Sequence, residues 1–280
     1  MWLIELQKMM ETIASHDLSF QKVLLKEFFI KKFLFYIYKQ SPYHYLIFNG
    51  GTCLRIVYDL PRLSEDIDMD IPENEAFDIQ VFAEDMVSYA QKQLERKISF
   101  SIISAWRTLT LKIPILHELG LSSLSDSNLL YIKFDIQPWD NKYSTTQLSP
   151  YTKDNLFFMI KYYDLPSLFA FKLRAVFGRW EKTFHDKYAY KGRDFYDLIR
   201  YLQQWVQPNF PIIQTYLQEY HAITIHNMHD LVVQLSQKIE SIEVDGIFDD
   251  IQWLIEDKSF SREFSKNFKA IFAWLKHKLV

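Results

Sequence analysis

The sequence predicts an α+β protein: a mixed β-sheet flanked by helices in the N-terminal half, then an all-helical C-terminal half. Three observations carry this prediction. Runs of strand length, apolar or alternating, all lie before residue 140. From Leu165 onward the apolar spacing is helical throughout. The composition, 17% aromatic with 6 glycines in 280 residues, suits a helix-rich globular chain and not a disordered one.

Residues 1–15 place Trp2, Leu6, Met9, Met10 and Ile13 along one side of a helix. Ser19 or Asp17 caps a second helix, which runs to about Gln40 and stops at Ser41-Pro42. Residues 45–48 form a short apolar run before Gly50-Gly51 and read as a buried strand. A helix over 52–58 follows, and Pro61 marks the turn after it. Residues 67–71 alternate with aspartates as the next strand, ended by Pro72. A helix is expected over 74–97, then strands over 98–103, 109–115 and 129–136, with a serine-rich loop over 120–128. The polar stretch 138–155 takes the domain boundary, giving units 1–150 and 151–280. Helices follow from Pro166-Ser167 to Trp180, from Lys191 to about Trp205, and over 210–221, 229–239, 244–255 and 259–278.

A chain of this length buries one large core or two modest ones. The one cysteine, Cys53, cannot form an intrachain disulfide, which fits a reducing, cytoplasmic setting. Residues 1–5 carry an early acid and no basic region, unlike a signal peptide. The most apolar stretch, 23–38, holds Lys26, Glu27, Lys31 and Lys32, too many charges for a membrane span. The net charge is −3, so a nucleic-acid partner needs a local basic patch.

The chemistry concentrates in Phe48-Asn49-Gly50-Gly51-Thr52-Cys53-Leu54 and Arg62-Leu63-Ser64-Glu65-Asp66-Ile67-Asp68-Met69-Asp70. On a strand, Asp66 and Asp68 project from one face, and two close carboxylates repel unless a cation lies between them. Hard oxygen ligands favour Mg²⁺, which keeps waters and takes phosphate oxygens. The glycine pair lets the backbone approach a triphosphate and leads into a helix N-terminus, an anion site. Asp135 on a neighbouring strand is the candidate third carboxylate, with Lys133 on its face. Asp70 continues the same face beyond the site. Cys53 reads as a small buried residue and the eight histidines show no metal-ligand spacing.

A second constellation joins Lys172, Arg174 and Arg179 to Lys191-Gly192-Arg193-Asp194 and Asp197. Two readings fit it. Lys172 and the arginines meet phosphates or an RNA backbone, with Lys182, Lys187, Lys191 and Arg193 adding charge. Alternatively, Arg179 and Arg193 pair with Asp194 and Asp197 in a structural network. In the last helix, Phe260, Phe264, Phe268 and Phe272 read as a core stripe. Lys258, Arg262, Lys266, Lys269, Lys276 and Lys278 read as a solvated face.

As an ordered set these motifs resemble the AbiEii/AbiGii (MenT-like) nucleotidyltransferase toxins of the DNA polymerase β-like superfamily. The matching residues are Phe48-x-Gly50-Gly51-Thr52-x-Leu54, Arg62-x-Ser64-x-Asp66-x-Asp68, Lys133-x-Asp135, Ala170-x-Lys172-Leu173-x-Ala175, and Lys191-Gly192-Arg193-Asp194-x-Tyr196-Asp197-Leu198. They span residues 45–201. The resemblance implies a mixed sheet with a helical domain completing the nucleotide cleft. It also implies a toxin of a toxin–antitoxin or phage-defence system, with a cognate antitoxin as partner. Several such toxins add nucleotides to the tRNA 3′ end and so block translation. Carried over, Asp66 and Asp68 hold Mg²⁺, with Asp135 as third ligand or neutralised by Lys133. Gly50, Gly51, Thr52, Arg62 and Ser64 line the NTP, Lys172 meets its phosphates, and Asp194 is the essential acid of the last motif. Transfer to a protein or small molecule, or an NTP-binding regulatory module without transfer chemistry, are the other readings.

Overall fold

The computed structural model describes residues 2–103, 107–138, 143–179 and 190–280. Its chain divides into two units: Met1–Asp140 with Thr146–Tyr162, and Asn141–Thr145 with Tyr163–Val280. The first contains helix α1 (Trp2–Ile13), helix α2 (Leu18–Phe35) prolonged by a π-helical turn (Tyr36–Gln40), strand β1 (Ile47–Asn49), helix α3 (Gly50–Val57) and strand β2 (Asp66–Ile71). Helix α4 (Ile79–Leu94) and strands β3 (Ser99–Ile103), β4 (Thr108–Pro114), β5 (Leu129–Pro138), β6 (Thr146–Tyr151) and β7 (Phe158–Tyr163) follow. Asp17 rather than Ser19 caps α2, its carboxylate accepting from the Ser19 and Phe20 N–H groups.

The strands form one mixed sheet in the order β3-β4-β5-β2-β1-β7-β6. Strand β2 runs antiparallel to β1 and parallel to β5, while β1 runs parallel to β7. Alternation sorts the side chains onto two faces. Phe48, Ile67, Met69, Leu109, Leu111, Ile132 and Phe134 are buried on one face. Phe33 of α2 and Phe82 of α4 meet the Phe134 ring edge-on, at 5.5 and 5.6 Å between centroids. Truncating Phe134 to alanine at the centre of this core would cost about 3–5 kcal/mol. With its apolar side taken by helices, the sheet keeps its polar residues on the opposite face.

Strand β6 falls inside the stretch 138–155 that the sequence reading places as a polar connector, and β7 falls just after it, where no strand is expected. In β6 only Tyr151 is buried, so no apolar alternation marks it. In β7 Phe158, Ile160 and Tyr162 are buried and alternate with Met159 and Lys161, a strand pattern blurred because Met159 is itself apolar. Helix α4 is shorter than the expected 74–97: Asp78 caps it, accepting from the Gln80 and Val81 N–H groups.

The second unit holds α5 (Leu165–Gly178), α6 (Gly192–Gln203), α7 (Phe210–His221), α8 (Met228–Glu240), α9 (Asp245–Ile251), α10 (Lys258–Leu275) and a 3₁₀ turn (Lys276–Leu279). Phe264, Phe268 and Phe272 of the α10 stripe are buried, and Phe260 is exposed at its start. Phe268 packs on Phe195, and Phe264 on Tyr196 of α6. Gly192 opens α6 where the backbone of α9 crosses it: a Cβ there would lie 2.5 Å from the Ile247 Cα. That contact requires glycine. Trp180, expected to close α5, lies outside the described residues, as do Lys182 and Lys187.

Candidate active site

The short β1-α3-β2 connection brings the two motifs together. Because β2 returns antiparallel to β1, Asn49 sits opposite Asp68 and Ile47 opposite Asp70. Asn49 caps α3, its Oδ1 accepting from the Gly50 N–H at 2.6 Å, and its Nδ2 donates to Asp70 at 3.4 Å. The glycines belong to the first turn of α3, not to a loop before it. Gly50 holds φ at +75°, and a Cβ there would overlap the Asp68 carboxylate. A Cβ on Gly51 would lie 2.7 Å from Arg62 Nη2 and 3.2 Å from Ser64 Oγ. Close approach and a positive φ together require glycine at position 50, beside Asp68, while at position 51 a side chain would have to displace the ends of Arg62 and Ser64. Thr52 Oγ1 donates to the Asp66 carbonyl and lies 2.8 Å from Ser64 Oγ. Arg62 is 1% exposed and donates from Nη1 to the Leu63 carbonyl at 2.9 Å, so this guanidinium is part of the floor.

Register across the sheet completes the polar face. Asp66 lies beside Lys133 and Asp68 beside Asp135 on parallel β5. On β4, Thr108 lies beside Asp135 and Thr110 beside Lys133. Both Asp135 oxygens are engaged: Thr108 Oγ1 donates to Oδ1 at 2.6 Å, and Lys133 Nζ donates to Oδ2. Burial pulls the Lys133 ammonium down. The hydrogen bond to Asp135 and then the charges of Asp66, Asp135 and Asp68 outweigh it, and its pKa is raised. Lys133 thus sits in the field of all three carboxylates. Among the described residues no group of three or more Asp, Glu, His or Cys side chains is placed to hold a metal by itself. The donor set still fits a hard divalent cation: two aspartates on one strand face leave most of its shell to water and phosphate. Cys53 is wholly buried, and burial followed by the Asp68 charge pushes its thiol well above the ordinary value, as suits an inert packing residue.

In the second unit, Lys172 of α5 lies 2.9 Å from Asp194 Oδ1 and 2.8 Å from Asp197 Oδ2 of α6. Arg179 also pairs with Asp194. Both aspartates are buried. The ion-pair network foreseen as one alternative is present here, with Lys172 as its hub and Arg193 absent from the pairs described. Arg193 instead offers its backbone N–H to Asp250. Arg174 lies over the Tyr216 ring at 5.0 Å, a cation–π contact.

Sequence reasoning missed Thr108 and the double role of Asn49. An asparagine directly before a glycine-opened helix is a capping signal. Thr108 carries none, because only the β4–β5 register brings it to Asp135.

Paired strand carboxylates beside a glycine-opened helix N-terminus, on a mixed sheet, make a donor set suited to a cation and a phosphate. Residues 32–275 match the family described as nucleotidyl transferase AbiEii toxin, Type IV TA system. The chain belongs to this family: it is a nucleotidyltransferase toxin of a toxin–antitoxin system, which implies a cognate antitoxin and an NTP substrate. Comparison with curated proteins finds no match. Among the described residues no helix is long and apolar enough to cross a membrane.

Proposed function

We propose that the protein transfers an NMP from an NTP to the 3′-terminal hydroxyl of tRNA in a Mg²⁺-dependent reaction in the cytoplasm. The observation that carries this reading is the packing of Gly50 against Asp68, which sets a helix N-terminus against two same-face carboxylates. Asp66 and Asp68 would hold the metal. Bound there, Mg²⁺ supplies neutralisation of the phosphate charge and acidifies the attacking hydroxyl. Asp135 would serve through Lys133, whose ammonium adds positive charge at the edge of the site, and not as a third ligand.

The chain's own groups do the rest by positioning and electrostatics. The first-turn N–H groups of α3 would face the triphosphate, with Thr52 and Ser64 beside them. Buried Arg62 would hold that floor in place. Lys172 would meet the nucleotide phosphates, with Asp194 and Asp197 fixing its ammonium until then. In the reaction the acceptor oxygen bonds to the α-phosphorus, the bond from that phosphorus to the oxygen bridging it to the β-phosphate breaks, pyrophosphate leaves with that oxygen, and the hydroxyl proton passes to solvent water.

The test is incubation with Mg²⁺, each of four α-³²P-labelled NTPs and total cellular RNA, beside an Asp66→Ala/Asp68→Ala control. The expected result is a labelled band of tRNA size, absent in the control. Label on protein or on a small molecule would move the acceptor. Nucleotide binding without pyrophosphate release would leave a regulatory module.

A further inference from the structure

Helix α6 ends in a Schellman turn. The Trp205 N–H donates to the Leu202 carbonyl at 3.2 Å and the Val206 N–H to the Tyr201 carbonyl at 3.1 Å. The residue at the left-handed position of that turn is normally glycine. Here it is Trp205, at φ +57° and 62% exposed. A bulky residue in this conformation strains the backbone, and an exposed indole returns little burial to offset it. Packing therefore does not explain Trp205.

A second indole stands beside the first. Trp274, near the end of α10, is 70% exposed. Lys278 Nζ lies 4.3 Å from the Trp205 ring centroid and 5.9 Å from that of Trp274, so the ammonium bridges both rings. The His277 ring approaches both indoles edge-on, at 6.3 and 6.4 Å. Gln207 Nε2 donates to the Lys278 carbonyl at 2.7 Å and fixes the terminal turn against the segment after α6. Segments 198–218 and 264–280 contain no aspartate or glutamate in a chain whose net charge is −3, yet they carry Arg200, Lys266, Lys269, Lys276 and Lys278. Exposed Gln203, Gln204 and Gln207 flank Trp205. Two exposed rings, a cation between them, amides around them and no acidic side chain in these segments suit unpaired nucleotides, which stack on aromatic side chains while cations take the phosphates.

We propose that Trp205 and Trp274, bridged by Lys278, form a stacking platform for unpaired nucleotides of the RNA acceptor. The proposal rests on the reading that the acceptor is RNA. It also places the platform relative to the second motif within the same unit. Asp194 lies in the first turn of α6 and Trp205 follows the helix end, about 16 Å further along.

The platform is tested by fluorescence anisotropy of a labelled single-stranded RNA oligonucleotide at low salt, without NTP. The variants are Trp205→Gly, Trp274→Ala and their combination. Trp205→Gly relieves the strained turn, so its thermal midpoint should not fall. Each single variant should weaken RNA binding about tenfold and the pair more. Trp205→Phe should restore most of the loss. In the transfer assay KM for RNA should rise while KM for NTP stays unchanged. Wild-type protein that fails to bind the oligonucleotide, a double variant that binds it unchanged, or indole quenching by anionic vesicles but not by RNA would each overturn the platform. Wild-type RNA binding without transfer to RNA would instead overturn the acceptor reading and leave the platform standing.

Discussion

At Gly50 the backbone conformation and the position of the Asp68 carboxylate depend on the same missing side chain. An alanine there meets two costs. The left-handed backbone costs about 1 kcal/mol. The methyl group must also displace the Asp68 carboxylate that it would overlap. Displacements of about 1 Å at reacting groups cost on the order of 100-fold in rate. Gly50→Ala is therefore expected to lower pyrophosphate release about 100-fold or more, with a drop of only a few degrees in melting temperature. Wild-type turnover in that variant would show that the Gly50–Asp68 contact does not shape the site. Gly51→Ala meets the ends of two side chains, Arg62 and Ser64, which can shift, and should lose less. The paired aspartates were legible because a two-residue spacing fixes a common strand face. Thr108 was not, because its role depends on a strand register that short-range patterns leave open.

Helix α3 is the element that has to stay in place, and α2 holds it. Glu27 of α2 is 6% exposed and accepts from Arg55 Nε of α3 at 2.8 Å, with Lys31 at 2.9 Å on its other oxygen. Burial raises the Glu27 pKa. The Arg55 hydrogen bond, then the charges of Lys31 and Arg55, outweigh it and leave the pKa below the ordinary 4.5. A carboxylate depressed in the folded state stabilises above its unfolded pKa, and that contribution is lost as pH falls through the folded value. Glu27→Gln should therefore cost about 2 kcal/mol at neutral pH. The cost should shrink as the pH is lowered below 4.5. Denaturant titrations of both proteins from neutral to acidic pH check this, and a constant difference would rule it out. Asp154, which shares Lys31, titrates with the same sign and leaves some acid sensitivity in the variant. Among the elements, long helices such as α7 stood out in the sequence by their periodicity. Strand β6, exposed along most of its length, did not, because a strand that buries one side chain leaves no pattern to read.

At the scale of the molecule, each unit has its own apolar core, and the paired carboxylates Asp66 and Asp68 lie in the first. Ligand binding to the native state adds stability to whatever it touches, about 2.7 kcal/mol when the free ligand is at 100 times its Kd. For a unit of this size that is about 5–10 °C in melting temperature. A non-hydrolysable NTP with Mg²⁺ should thus raise the calorimetric transition. Hydrogen exchange should slow most at the amides of β2, β5 and the first turn of α3. EDTA should reverse the shift, because the nucleotide alone brings its negative charge to a face that already carries Asp66, Asp68 and Asp70. Asp66→Asn/Asp68→Asn should abolish the metal dependence while keeping the fold, since both side chains stand on the polar face and leave the apolar packing of Ile67 and Met69 untouched. A full shift without metal, or one that survives in the double variant, would mean that the nucleotide is held without these two carboxylates.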